Sequence, residues 1–354
     1  MCCPSGRDRM RLVFAGTPDV ALAALDALHA SDHEIAAVVT RADAPLGRKR
    51  ILTPSPVAAR ADALGLRVIK ANRLDDSVSD EIAALRPDLG VIVAYGGLVR
   101  QRLLAVPPAG WINLHFSVLP RWRGAAPVQR AILNGDAVTG AAVFRLVREL
   151  DAGDVYATVS RPIGVTDTAG DLLAALADEG AKLLSSVVDD IAAGTAVAVP
   201  QSGEPTAAPK LDTDDARLRW HEPVESVSAR QRAVTPEPGA FTVVDGVRLK
   251  IIVARPADSA VSLPPGRISE VGGSILAGTA TAPLELITVQ PAGKKPMTAA
   301  DWWRGAVPHA EHADGGAAAF LRVDDEPKAA AGTRAGAETA AGAGSAARSD
   351  EVAP

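Results

Sequence analysis

A chain of 354 residues is long enough for two domains of ordinary size, each burying its own core. Hydrophobic residues at 47% and charged residues at 22% match a folded globular protein and exclude a largely disordered one. A formal net charge of -5 excludes wholesale coating of nucleic acid, so any RNA contact has to come from a local basic patch.

The start, MCCPSGRDRM, has charges but no apolar run behind them, and no uninterrupted apolar stretch of about 18 residues occurs later. Neither a signal peptide nor a membrane span is expected. Cys2 and Cys3, the only cysteines, are adjacent, which suits neither a core disulfide nor a metal site. A reducing, cytoplasmic setting without a metal follows. Residues 1–9 read as a disordered leader, with Met10 an alternative start.

From Arg11 the runs RLVFA, EIAAVVT, RVIK, LGVIVAY and INLH alternate with PDVALAALDALHA, PSPVAARADALG and SVSDEIAALR. Apolar β-branched strands separated by amphipathic helices predict βα units and a Rossmann-like, mainly parallel sheet, with its sites at the carboxyl ends of the strands. The first turn, FAGTPDV, has a Thr17 cap and Pro18 to start a helix but one glycine only, so a dinucleotide pyrophosphate finds no close backbone approach there. The next loop, RADAPLGRKR, carries Arg41, Arg48, Lys49 and Arg50. Such a run is either a solvated loop or a phosphate-binding patch.

The segment WINLHFSVLPRWRGAAPVQRAILNGD spans residues 111–136. On a strand, Asn113 and His115 project from the same face. Both can surround one carbonyl oxygen, or both can satisfy nearby loop backbone. Pro120, Gly124 and Pro127 then hold the following loop in one shape, as a rigid turn or as a platform for a flat ligand. Arg121 and Arg123 flank Trp122, a pattern for anion binding or stacking as much as for solvated charge. Further on, LDAGD places Asp151 in a turn; a carboxylate there either serves turn chemistry or arrives beside the imidazole and raises its pKa.

A long helix is expected from about Asp171 to Ala193, closing a first domain over residues 10–199. Residues 200–216, PQSGEPTAAPKLDTDDA, have little to bury and read as a linker that includes Lys210. Residues 217–308 show short strands between Gly and Asp turns, the pattern of a small, OB-like β-barrel. Arg230, Arg232, Arg248, Lys250, Lys294 and Lys295 supply it with candidate positive charge. Residues 309–354 are too poor in large apolar groups to offset ordering entropy and read as a disordered tail.

NLHFSVLPRWRGAAP with the later LDAGD resembles the formyltetrahydrofolate-dependent formyltransferases. FAGTPDVA, RADAPLGRKRILTPSPV, the second domain and QPAGKKPM resemble the branch of that family acting on methionyl-tRNA. The resemblance runs from about Arg11 to Arg304. It implies that Asn113, His115 and Asp151 are catalytic, and that Ser117, Val118, Leu119 and Pro120 bind folate. Phe116 stands where the family often has Gly, and Val118 replaces a usual Leu. It further implies 10-formyltetrahydrofolate as co-substrate, initiator methionyl-tRNA as partner, and tRNA contacts from Arg41, Arg48, Lys49, Arg50 and Lys210. A monomer is expected, since no apolar surface stripe is evident. Two other readings stay open: a folate-dependent formyltransferase acting on an amino sugar nucleotide or glycinamide ribonucleotide, and a non-catalytic RNA-binding module.

Overall fold

The computed structural model describes residues 9–47, 49–258, 260–306, 311–313 and 317–324. In chain order the first domain contains β1 (Arg11–Gly16), α1 (Leu22–His29), β2 (Glu34–Thr40), β3 (Ala44–Leu46), β4 (Ile51–Thr53), α2 (Pro56–Ala63), β5 (Val68–Lys70) and α3 (Asp76–Ala84). It continues with β6 (Leu89–Val93), α4 (Gln101–Leu104), β7 (Trp111–His115), β8 (Arg123–Gly124), α5 (Pro127–Leu133), β9 (Val138–Arg145), β10 (Val155–Pro162) and α6 (Ala169–Ala193). Seven strands form one sheet in the order β10-β9-β7-β6-β1-β2-β5. The five from β5 to β7 run parallel, β9 is antiparallel to β7, and β10 is antiparallel to β9.

The apolar runs explain this sheet. Every residue of β6, LGVIV, is buried, as a central parallel strand covered on both faces requires. One face packs on α1, α5 and α6 through Leu12, Phe14, Val91, Ile112 and Leu114. The other holds Val13, Ala15, Val39, Ile92 and Trp111. The chain builds outward from β1 in one direction, then returns to lay β6 and β7 on the other side. That reversal leaves a crevice at the strand carboxyl ends, where Thr17 Oγ1 donates to the Tyr95 carbonyl across it at 3.0 Å.

β3 and β4 form a separate two-stranded arm. After α6 come β11 (Ala207–Ala208), α7 (Val224–Ala233), β12 (Phe241–Val244), β13 (Val247–Pro256), β14 (Arg267–Val271), β15 (Ser274–Ala277), β16 (Leu284–Pro291), β17 (Met297–Thr298), α8 (Ala299–Ala306), β18 (Glu311–Ala313) and β19 (Ala317–Arg322). The strands from β12 on form a second, antiparallel sheet in the order β12-β13-β16-β15-β14-β19-β18, with β17 beside β16. Its ladders do not close into a ring. α7 packs on both α5 and β13, and Ala229 and Ala233 enter the first domain's core.

One sequence expectation changes here. The region after residue 308, expected to be a disordered tail, contributes β18 and β19, because Phe320 and Leu321 are buried and β19 pairs with β14. Residues 1–8 and 325–354, which hold most of the expected leader and tail, lie outside the described residues. No helix among the described residues is long and apolar enough to cross a membrane.

α6 begins with a reciprocal cap: Thr168 Oγ1 accepts from Asp171 N, and Asp171 Oδ2 accepts from Thr168 N. Thr168→Ala is expected to cost about 1 kcal/mol in urea unfolding. Turnover per folded molecule should stay as in the wild type.

Candidate active site

Pleating puts Trp111, Asn113 and His115 of β7 on one face, while Ile112 and Leu114 point into the core beneath α6. His115 is 6% exposed and meets Phe144 of β9 edge-on, with ring centroids 6.3 Å apart. Its Nε2–H donates to the Trp122 carbonyl at 2.8 Å. A carbonyl only accepts, so this bond fixes the tautomer and leaves Nδ1 without the proton in the neutral ring.

Trp122 reaches that position in a left-handed conformation, φ 60°, unusual for a bulky residue. Asp136 holds it there. The Asp136 carboxylate accepts from Trp122 Nε1 at 2.8 Å, from Arg121 Nη2 at 2.8 and 2.9 Å, and from Asn134 Nδ2 at 2.7 Å. Arg121 also lies over the Trp122 ring, 5.4 Å from its centroid. Arg121 thus stacks on Trp122, one of the arrangements the sequence allowed, while its charge is paired with Asp136.

Asp151 comes from the turn between β9 and β10 and is also left-handed, φ 47°. Its Oδ2 accepts from Gly124 N at 2.8 Å and stands 3.8 Å from His115 Nδ1. That separation is too long for a hydrogen bond, yet a small donor at the side could bond both atoms at once. The glycine of LDAGD is needed for a backbone crossing: a Cβ on Gly153 would lie 1.8 Å from the Arg145 carbonyl oxygen. At Gly124, φ is 128° and a Cβ would meet the Ala208 carbonyl oxygen at 2.6 Å. Asn113 is half-buried, and its Oδ1 is enclosed without a hydrogen-bond partner.

Apart from Val199, the last residue of the expected first domain, the residues that brace this arrangement come from the stretch expected to be a linker, and nothing in its composition signals them. Val199 pairs with Val155. Gln201 bonds both site loops, Thr206 Oγ1 accepts from Trp122 N at 2.9 Å, and β11 runs parallel to β8. Residues 199–208 thus form a strap across the site.

Burial lowers the His115 pKa; the Asp151 carboxylate and the Trp122 carbonyl oppose that shift but do not overcome it. The sequence led us to expect the opposite direction, because enclosure of the ring beneath Phe144 and the loop was not visible there. The neutral ring, its one N–H committed to Trp122, has no donor left for a carbonyl oxygen.

The other sequence candidates are spread out. Ser117 is buried and its Oγ donates to the Arg121 carbonyl at 2.6 Å; Leu119 and Pro120 are buried, and Val118 packs toward Gly140. Arg41 is occupied inside the fold, its guanidinium donating to the carbonyls of Asn72 at 2.7 Å and Gly96 at 2.9 Å. Arg48 lies outside the described residues. Lys49 and Arg50 are exposed at the tip of the β3–β4 arm, and Lys210 is exposed just past the strap. Arg230 and Arg232 are engaged with Asp215 and Asp167 carbonyls, and Arg248 lies over Phe241. Clefts of about 650, 510 and 400 Å³ are lined by none of Asn113, His115 and Asp151, so chemistry rather than cavity size marks the site. No group of three or more His, Cys, Asp or Glu among the described residues is placed to hold a metal.

The formyl transferase family matches residues 10–188, and the formyl transferase C-terminal domain matches residues 210–307. A methionyl-tRNA formyltransferase of Clavibacter michiganensis subsp. michiganensis is 62% identical over 296 residues, covering 84% of this chain and 97% of the relative. One from Leifsonia xyli subsp. xyli is 62% identical over 297 residues, 84% of this chain and 98% of the relative. Among solved structures, an N-formyltransferase from Helicobacter canadensis in complex with folinic acid and dTDP-3-aminofucose superposes with a TM-score of 0.60 at 17% identity, covering 78% of this chain and 98% of that one. HypX from Aquifex aeolicus in complex with tetrahydrofolic acid gives 0.59 at 17%, covering 83% and 47%. These two share the fold. With both halves matched and relatives aligned over nearly their whole length, the chain belongs to the family of the methionyl-tRNA formyltransferases.

Proposed function

We propose that this protein transfers the formyl group of 10-formyltetrahydrofolate to the α-amino group of methionyl-initiator tRNA, giving N-formylmethionyl-tRNA for translation initiation. The observation that carries the reading is the apposition of a neutral His115 and the Asp151 carboxylate at 3.8 Å at the carboxyl end of β7, in a chain 62% identical to enzymes of that name. An amino sugar nucleotide acceptor is the weaker reading, since the solved structure with such a ligand is only 17% identical.

In this reading the neutral amine attacks the formyl carbon, a new N–C bond forms, and the formyl oxygen turns negative. The Asn113 amide donates to that oxygen; one well-aimed donor contributes about 3 to 4 kcal/mol. The amine becomes acidic as it bonds. His115 Nδ1, unprotonated and facing it, takes the proton, and the imidazolium so formed lies against the Asp151 carboxylate. The intermediate then collapses: the formyl C=O re-forms, the bond from the formyl carbon to the folate nitrogen breaks, and that nitrogen takes the proton from the imidazolium. Ser117, Val118, Leu119 and Pro120 shape the folate side through the loop backbone, since their side chains are largely turned into the protein.

For tRNA, the β3–β4 arm offers Lys49 and Arg50 at its tip, with Arg48 next to them in sequence and Lys210 near the strap. Leu46, Ile51 and Leu52 on the arm are more than 60% exposed, an apolar surface that a nucleic acid can cover. Arg41 braces the arm's root through the Asn72 and Gly96 carbonyls, and its remaining N–H groups stay on the tRNA side of this reading. We also read the C-terminal sheet as an OB-like barrel: the isolated bridge between Val244 and Val323 brings the end of β12 back to the chain just after β19. The protein acts, in this reading, as a cytoplasmic monomer without a metal.

The function is tested by incubating the protein with formyltetrahydrofolate and methionyl-tRNA and releasing the amino acid by ester hydrolysis; formyl-methionine is expected, and formylation of an amino sugar alone would refute the acceptor. Asp151→Asn should lower kcat at least 100-fold while leaving folate affinity within about twofold, as read by titration of folate binding. Replacing Lys49 and Arg50 by Glu should raise KM for the tRNA and reduce the salt slope of binding by roughly one per cation. The folded pKa of His115 lies below that of the unfolded chain, about 6.5. On acidification the unfolded state therefore takes up the proton first, so stability present above about pH 6.5 is lost as the pH falls below it. Urea unfolding from pH 7.5 to 5.5 should show a shallower pH dependence in His115→Asn than in the wild type.

A further inference from the structure

We infer that Gln201 is a positioning residue for the transfer, one that sets where the Asp151 carboxylate stands against His115 by tying the Asp151 turn to the Arg123 loop. The inference rests on the formyl-transfer reading above. All the hydrogen-bonding capacity of the Gln201 amide is directed to this joint. Nε2 donates one proton to the Asp151 carbonyl and the other to the Gly153 carbonyl, both at 2.8 Å. Oε1 accepts from Arg123 Nη2 at 2.6 Å and Nε at 3.2 Å.

The geometry gives these bonds leverage. Asp151 is left-handed at φ 47°, a conformation that aspartate tolerates better than most residues and that sets the direction of the turn. The Gln201 bonds grip the peptide groups that follow Asp151. Arg123, the other end of the grip, precedes Gly124, whose N–H meets Asp151 Oδ2. One amide therefore fixes the loop that supplies the donor and the turn that supplies the acceptor. Gln201 is itself held, since Val199 pairs with Val155 and the strap continues into β11 beside β8. A glutamate keeps the length and the Arg123 contact but turns an acceptor toward two carbonyls. A methionine keeps the shape and loses both halves.

The experiment compares the wild type with Gln201→Glu, Gln201→Met, Asp151→Asn and the Gln201→Met/Asp151→Asn double variant. Steady-state kinetics in both substrates and thermal melting are measured for each. Both Gln201 variants should lose on the order of 10- to 100-fold in kcat, with KM for tRNA and folate within about twofold and little change in melting. In the Asp151→Asn background, Gln201→Met should bring no further loss, because the two act through one group. Wild-type kcat in both Gln201 variants, or losses that multiply with Asp151→Asn, overturns the inference. So does a loss that tracks the folded fraction alone. If Gln201→Met does not fold, Gln201→Glu carries the comparison.

A second readout needs no activity. The ring signals of His115 in histidine-labelled protein should shift in Gln201→Met in the same direction as in Asp151→Asn, and unshifted signals overturn the inference. Absence of formyl-methionine from the wild type would instead refute the formyl-transfer reading, leaving Gln201 to be judged by the His115 signals.

Discussion

The contact on which the candidate active site depends is the bond from Gly124 N–H to the Asp151 carboxylate. It joins a loop following β7 to a turn following β9, two segments that no ladder connects directly, and it sets the carboxylate beside an imidazole already fixed by Trp122. Two backbone strains accompany it, at Trp122 and Asp151. Left-handed residues of this kind cost roughly 1 to 3 kcal/mol each and persist where surrounding structure over-determines them. Here the over-determination is visible: Asp136 grips Trp122 with one carboxylate, and the strap grips the Asp151 turn.

The electrostatics follow from the same packing. Phe144 and the loop enclose His115, so the ring loses more from desolvation than it gains from Asp151 and stays neutral. A neutral imidazole beside a carboxylate is prepared to receive a proton, and the carboxylate then stabilises the charge that results. Three segments meet here: β7 brings the imidazole, the β9–β10 turn the carboxylate, and the loop between β7 and α5 the bond that selects the tautomer.

Much of this was legible in the residues. Continuous apolar runs such as LGVIV announce buried parallel strands, and period-two spacing puts Asn113 and His115 on one face whatever the rest of the chain does. The motif carried Asp151 to the same site. What could not be read was contact between distant segments. Arg41 looks like Lys49 in a list of cations, but one donates to two backbone carbonyls and the other faces solvent. Residues 200–208 hold their place by backbone pairing, the Gln201 amide and the Thr206 hydroxyl, and hydrophobic patterning is blind to all three. The direction of the His115 shift was missed for a related reason, since burial is a property of what packs on top. The strands after residue 308 escaped notice because two large side chains, Phe320 and Leu321, suffice to seat β19 beside β14.

That the connecting stretch doubles as part of the active-site wall has an evolutionary corollary. The second domain cannot be exchanged at the end of α6 without removing the backbone that buttresses His115 and Asp151. A chimaera joined near residue 195 would inherit the sheet, the imidazole and the carboxylate but not their alignment. A junction after Ala208 keeps the strap with the groups it braces, so the segment between the two modules goes with the first.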